Sequence, residues 1–547
     1  PNPQSPIPNP QSPIPIFRFK LISLLYILLF NLFYLINKMS SEYINNLLEP
    51  QELNKNKLSI ELQQNLDSSN KTNLKNFRQV SSNKTFIFSK KFIISSFLSF
   101  LLFSLTFILV HYHNKVKPLK KLVSFESDEK KNLIRLKFNV KNPKIPVKLF
   151  NSTSQIQDHI KSLQIGGKEE NITNEFSFGF SGKYKVKIYL KDKLTSIKNL
   201  FSGCSQLMIA DFSDFISDEV TDMSGLFHGC HRLKYVELEG FNTQKVTNME
   251  KMFNGCKHLN DLNLTHFDTS NVQYMDGMFA GCEELYYLNL SNFRTNKVLK
   301  MNNMFAGSDS LYILDLNNFD TSNVQDMSFM FYKCSNLPSL NISHFRTSNV
   351  KNMSSIFHKC KKIEHLDLSK WDTSSVVSFS NMFSGCTKLS FVAMDNFDTS
   401  NVMYMDNMFL RCLNLSDINI NHFKTNKVIT MQNMFSGCER LTSLDISNFD
   451  TSNVMDMSGM FCSNFALRSL NISNFRTRKV TKMDYLFNND MMLTSLDISN
   501  FNTMNVDVKR NFFNSLPNKG KIYLNSDKIS NAILKLLPRG WEMVERQ

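Results

Sequence analysis

From residue 201 onward the apolar positions fall on a fixed grid. Phe recurs every 26 residues, at Phe201, Phe227, Phe253 and so on without a slip to Phe513, thirteen in all. Leu or Ile stands six residues after each Phe, as at Leu285, and aliphatic residues stand nine and eleven after it, as at Leu288 and Leu290. An aromatic follows at fourteen (Phe293, Trp371), Thr at sixteen in all but one repeat, Val at nineteen, and mostly Met at twenty-two and twenty-five. A period of this size marks a solenoid, in which each unit hides its apolar face against its neighbours. Residues 285–290 (LYYLNL) predict a short strand, with Leu288 and Leu290 inward and Asn289 outward. Thr295 occupies a helix N-cap position. Val298, Met301, Met304 and Phe305 then repeat at helical spacing, and Gly307 stands where such a helix ends.

These elements predict an α/β fold, a leucine-rich-repeat-type right-handed solenoid of about twelve 26-residue repeats over residues 198–516. The Met and Phe columns are its core. Residues 517–547 leave the pattern and read as a C-terminal cap, with a strand at 521–524, a helical stretch at 530–537 and Trp541 as a plug. Ahead of the array, residues 117–197 alternate between apolar and polar at 133–140 (LIRLKFNV) and 184–190 (YKVKIYL), as β-strands do. They are expected to form a β-rich domain that closes the first repeat.

The first 116 residues have a different texture. Residues 2–8 and 9–15 are a tandem NPQSPIP, and residues 21–36 are apolar but short for a membrane span. Residues 1–38 read as a leader that a start at Met39 would leave untranslated. Residues 39–91 are polar and rich in Asn, Ser and Lys, the composition of a disordered tail. Residues 92–110 carry no charge over 19 positions, enough for a helix to cross a bilayer. Both flanks are basic; a single span behind a short tail favours the tail in the cytosol and the repeats outside. The net charge of +15 is concentrated here: residues 1–200 hold 30 Lys/Arg against 13 Asp/Glu, the rest 33 against 35. The array is near neutral, which argues against a nucleic-acid partner.

Segments 275–282 (MDGMFAGC), 285–293 (LYYLNLSNF) and 320–327 (DTSNVQDM) resemble the bacterial surface protein 26-residue repeat of BspA-like leucine-rich surface proteins. The likeness spans about residues 197–540. It implies a surface-exposed, non-enzymatic protein used in adhesion or protein contact, and it supplies no catalytic residues. A transmembrane segment ahead of the repeats departs from the usual bacterial pattern.

Catalytic chemistry has no foothold in the motifs. No phosphate-binding loop, dinucleotide fingerprint, zinc-protease or nucleophile-elbow pattern occurs. Neither a cofactor nor a metal is expected. His266, His344 and His422 share one column but lie three repeats apart, too far to share a metal. The cysteines three after Phe, Cys204 to Cys438 with Ser308 as the exception, predict a stack of buried free thiols, and Cys462 stands off that register. Fifteen after Phe, Asp268, Arg294, Asp320 and Arg346 alternate in sign and predict cross-coil attraction. The strand position between the two inward aliphatics predicts the binding surface: Asn263, Asn289, Asp315, Asn341, Asp367, Asn419, Asp445, Asn471 and Asp497. The expected function is that of a single-pass, membrane-anchored surface protein whose solenoid binds a protein or glycan. A membrane-tethered intracellular scaffold is the alternative.

Overall fold

The computed structural model describes residues 132–546 apart from 155, 505 and 507–510. The leader, the polar tail and the 92–110 segment lie outside the described residues. Among the described residues no helix is long and apolar enough to cross a membrane.

The first strands are β1 (Leu133–Val140), β2 (Val147–Lys148), β3 (Ile160–Ile165), β4 (Lys168–Glu170), β5 (Glu175–Phe176) and β6 (Gly182–Leu190). Strand β1 pairs antiparallel with β6 on one side and with β7 (Leu207–Asp214) on the other. Strand β7 belongs to the first coil, and its far edge pairs parallel with β8 (Tyr235–Glu237). One six-stranded sheet, ordered β4-β3-β6-β1-β7-β8, therefore runs from the N-terminal unit into the solenoid. The open edge of the first coil is hydrogen-bonded to β1, as edge protection requires. Arg135, in the middle of β1 and 2% exposed, reaches Asp214 and, at 3.7 Å, Asp211 of β7.

The expectation of an α/β repeat is corrected by the array itself. The chain forms a β-solenoid, and the residues read as a helix are not helical. Three-residue strands recur as β9 (Tyr287–Asn289), β10 (Ile313–Asp315), β11 (His365–Asp367), β12 (Phe391–Ala393), β13 (Ser469–Asn471) and β14 (Ser495–Asp497). Each pairs in parallel register with its neighbour one repeat away, as Leu288 does with Leu314. A second ladder of single-residue parallel bridges links twelve successive coils from Ser196 to Lys482. Between the ladders the backbone N–H groups leave their own coil. Asn303 donates to Ser328 O at 2.9 Å, Phe305 to Met330 O at 2.9 Å and Gly307 to Tyr332 O at 2.6 Å. The alternate amides close local turns, as Met304 N does on Met301 O at 3.2 Å. An α-helix would need all of them for its own i−4 carbonyls.

Backbone geometry gives the same reason. The residues two before and two after each ladder Phe are left-handed: Asn303 has φ 58° and Gly307 φ 73° around Phe305. Two such residues four apart cannot belong to one right-handed helix. Gly is favoured at the second site because coils also approach closely there; a Cβ on Gly281 would meet Gly255 Cα at 3.4 Å.

The core is a set of ladders. Phe201 to Phe513 stack ring on ring, with Phe305, Phe331 and Phe357 at 5.7 Å centroid spacing. A second aromatic ladder contains Phe293–Phe319 at 6.5 Å and Phe345–Trp371 at 6.3 Å. The Met column is fully buried. Thr295, read from sequence as a helix cap, instead clamps two coils together. Its hydroxyl donates to Asp320 O at 2.9 Å and accepts from Asp320 N at 2.8 Å. The same exchange recurs at Thr269, Thr321, Thr399, Thr425 and Thr451. A buried hydroxyl with both roles used carries no desolvation debt.

At the C-terminal end β14 pairs with β15 (Gly520–Leu524), which pairs with β16 (Trp541–Glu545). Between them lies α1 (Asn531–Leu534), the only α-helix among the described residues. Trp541 is buried, and its indole N–H donates to Pro517 O at 2.8 Å.

Candidate functional site

The strand ladder exposes two side chains per coil, on either side of the first inward aliphatic. The second of these is the predicted Asn/Asp column. Asn263, Asn341, Asp367, Asn419, Asp445 and Asn471 are exposed, while Asn289 and Asp315 are half-buried. Asp497 does not join that row: it is 8% exposed and ion-paired with Arg546 at 2.6 Å under the C-terminal cap.

These residues carry a structural duty. Asn263, Asn289, Asp315, Asp367, Asp445, Asn471 and Asp497 use a side-chain oxygen to accept the N–H two residues on, at 3.0 Å from Ser291 to Asn289, 3.1 Å from Ser369 to Asp367 and 3.2 Å from Ser447 to Asp445. They close the turn that leaves the strand. Hydrogen bonds from Ser447 hold the Asp445 carboxyl below the usual carboxylate range. Asn341 bridges coils, donating to Asn317 Oδ1 at 2.8 Å.

The aromatic half of this face was missed from sequence. Tyr235, Tyr287, Ile313, His365 and Phe391 hold the first outward strand position, in the variable slots of the LxxLxL pattern. Tyr286 and Tyr312, one residue earlier, stack on each other at 5.3 Å yet remain about two-fifths exposed. Phe391 is 57% exposed beside the small Ala393. Aromatics at those variable positions were the available signal.

Other columns resolve into packing. The His344 ring nitrogen lies 3.2 Å from Leu316 O and that of His422 3.1 Å from Met394 O, each ring edge-on to the following Phe. Nine cysteines are free and buried, and Cys462 is half-buried. From Cys230 to Cys438 each thiol donates to the carbonyl of a Phe in the preceding coil, at 3.0 Å for Cys230 and 3.3 Å for Cys438. Ser308 makes the same bond at 2.8 Å, which explains why it substitutes there. Burial pushes these thiols up, to about 12 at Cys386 and Cys438, so they remain protonated donors at neutral pH. The alternating charge column forms no ion pair among the described residues. Hydrogen bonds from the serine two residues on hold Asp268, Asp320 and Asp450 low, with the next coil's Arg adding a smaller share. Among the described residues no group of three His, Cys, Asp or Glu side chains is placed to hold a metal.

Taken together, the coil geometry and the uncovered ladder face define a repeat protein of the β-solenoid class. The array matches the family described as Mycoplasma protein of unknown function, DUF285, over residues 195–314, 308–414, 363–443, 388–469 and 439–527, and the chain belongs to that family. No curated protein matches the chain.

Proposed function

We propose that this chain is a non-enzymatic binding protein of the cell surface, tethered through residues 92–110, whose strand-ladder face holds a protein or glycan. The observation that carries this reading is the combination of outward Asn and Asp side chains with exposed aromatics along the strand ladder, notably Phe391 at 57% exposure, paired with His365 on the strand that also carries Asp367, and the Tyr286–Tyr312 stack at the entry to the strands of Asn289 and Asp315. Exposed aromatics interleaved with fixed hydrogen-bonding groups suit both sugar rings and protein surfaces. The resemblance to BspA-like surface repeats supports the same role.

The triple variant Asn341→Lys, Asp367→Lys, Asp445→Lys puts three cations on this face. Because Asp367 and Asp445 close turns, a modest loss of stability is expected, about 0.5–1 kcal/mol each. The purified full chain is exposed to arrayed glycans and extracellular proteins. Wild type should retain at least one of them and the folded triple variant should not. Equal retention by both, or no retention by wild type, contradicts the reading.

A further inference from the structure

Six cations gather at one corner of four successive coils, in the turn ahead of the strand: Lys333, Lys359, Lys361, Lys362, Lys388 and Arg411. They stand two, four and five residues after the ladder residues Phe331, Phe357, Phe383 and Phe409. All are exposed except Lys359, which is half-buried. None makes an ion pair among the described residues. Earlier coils behave differently at the same corner: Lys257 pairs with Glu283 at 2.9 Å and His258 with Glu284 at 2.7 Å. The nearest acids in the register are Asp309 one coil before the cluster, Glu364 on the coil of Lys362, and Glu439 one coil after Arg411, where Arg440 follows it. An array of near-zero net charge therefore presents one locally uncompensated basic ridge.

Backbone strain coincides with it. The position two after the ladder Phe is left-handed in every coil, and seven coils place Gly there. Lys333, Lys359 and Arg411 adopt φ of 55°, 62° and 58° instead. A side chain in that region crowds its Cβ against the following carbonyl oxygen, so these three positions are strained. The remaining non-glycine occupants, Ser463, Asn489 and Ser515, lie toward the C-terminal end and are uncharged. Strain retained at three cations of one ridge is a pointer to function. Tyr332 stacks on His358 at 5.3 Å, with Lys333 Nζ 5.7 Å from the Tyr332 ring centre. His358 is pushed down to about 4, by burial first and then by Lys359 and Lys333, so it supplies a neutral ring in a positive field.

We propose that this corner is a binding ridge for a linear sulfated polysaccharide, on a surface separate from the ladder face. The ridge is one corner wide and runs along the solenoid axis, where coils follow at about 4.8 Å. A single extended polyanion laid along that axis meets cations coil after coil. Lysines bind such anions as point charges. A nucleic-acid duplex presents two phosphate rows across a broader front. Single-stranded nucleic acid needs free aromatic faces for its bases, but Tyr332 and His358 turn one face of each ring to the other. This inference does not depend on what the ladder face binds.

The test is the triple variant Lys333→Gly, Lys359→Gly, Arg411→Gly in the full chain. It removes three charges and relieves three left-handed side chains, so it should fold at least as stably as wild type, as thermal melting will show. Affinity for heparin oligosaccharide is compared near 0.15 M salt, where screening acts within about 8 Å. The control triple variant Lys300→Gln, Lys427→Gln, Lys479→Gln removes equal charge elsewhere on the array. The glycine variant should bind about tenfold more weakly or worse, and the control should stay close to wild type. Unchanged affinity in the glycine variant, or an equal loss in the control, overturns the ridge. Single-stranded DNA bound as tightly as heparin, with the same sensitivity to the glycine variant, overturns the polysaccharide assignment.

Discussion

Phe331→Ala should destabilise the folded array by about 3–5 kcal/mol, the range for deleting a large aromatic from a tight core. Phe331 is fully buried and lies 5.7 Å from both Phe305 and Phe357, with ring planes 8° and 1° from parallel. Alanine removes two ring contacts, each worth about 0.5–1.5 kcal/mol beyond area burial. It also opens a void at the junction of three coils. The neighbouring backbones are tied by inter-coil hydrogen bonds such as Phe331 N to Ile356 O at 2.9 Å, so collapse into the void is limited. Because each coil contacts only its neighbours, the damage falls on one interface. Denaturant titration should show a lower midpoint, with two transitions if the halves separate. Phe331→Leu should cost less. A loss under about 1 kcal/mol for the alanine variant would contradict a continuous ring ladder.

Asp490→Asn should stabilise the protein at neutral pH by about 1–3 kcal/mol, the cost of an unsatisfied buried polar group. Asp490 takes the place that Cys fills in earlier coils and is fully buried. One carboxylate oxygen accepts Asn464 N at 2.8 Å, and the other has no hydrogen-bond partner. Burial pushes this carboxyl well above the ordinary range. The folded state thus keeps a proton that the unfolded chain releases above about pH 4. The stability linked to that proton is complete below about pH 4 and is lost as pH rises toward the folded value. Asparagine at this site needs no proton; Asn464, one coil back, donates its amide to Phe461 O. The advantage of the variant should therefore grow from pH 5 to pH 7 in paired denaturant titrations. An advantage that stays constant over that range would remove the assignment of a buried protonated carboxyl.

The period and the inward columns were legible because burial fixes residue type and the coil fixes spacing: Leu288, Phe293, Val298 and Met301 are all buried. The secondary structure between them was not. Val298, Met301, Met304 and Phe305 match a helical face, and which carbonyl an amide reaches one coil away is invisible to local spacing. The clue was the recurring Asn or Gly on both sides of the ladder Phe, as at Asn303 and Gly307, two left-handed positions too close for a helix. Thr295 illustrates the same ambiguity, since a helix cap and an inter-coil clamp both call for a short hydroxyl. Signs alternate from Asp268 to Arg346, yet local serine N–H groups outcompete the next coil for the carboxylates. The Asn/Asp face was legible as exposed polar positions. Asp497 was not, because its partner Arg546 lies 49 residues away in the tail. The basic corner was hidden by averaging charge over the whole array.

The central claim is that alternate amides between the ladders, those of Asn303, Phe305 and Gly307 among them, bond to the next coil and not to i−4 carbonyls of their own. Through-hydrogen-bond NMR coupling on isotope-labelled protein reads this directly at Phe305. The structure predicts a correlation between the Phe305 amide nitrogen and the Met330 carbonyl, 2.9 Å apart across the coil boundary. A correlation to the Met301 carbonyl in its place would restore the helix and contradict the β-solenoid.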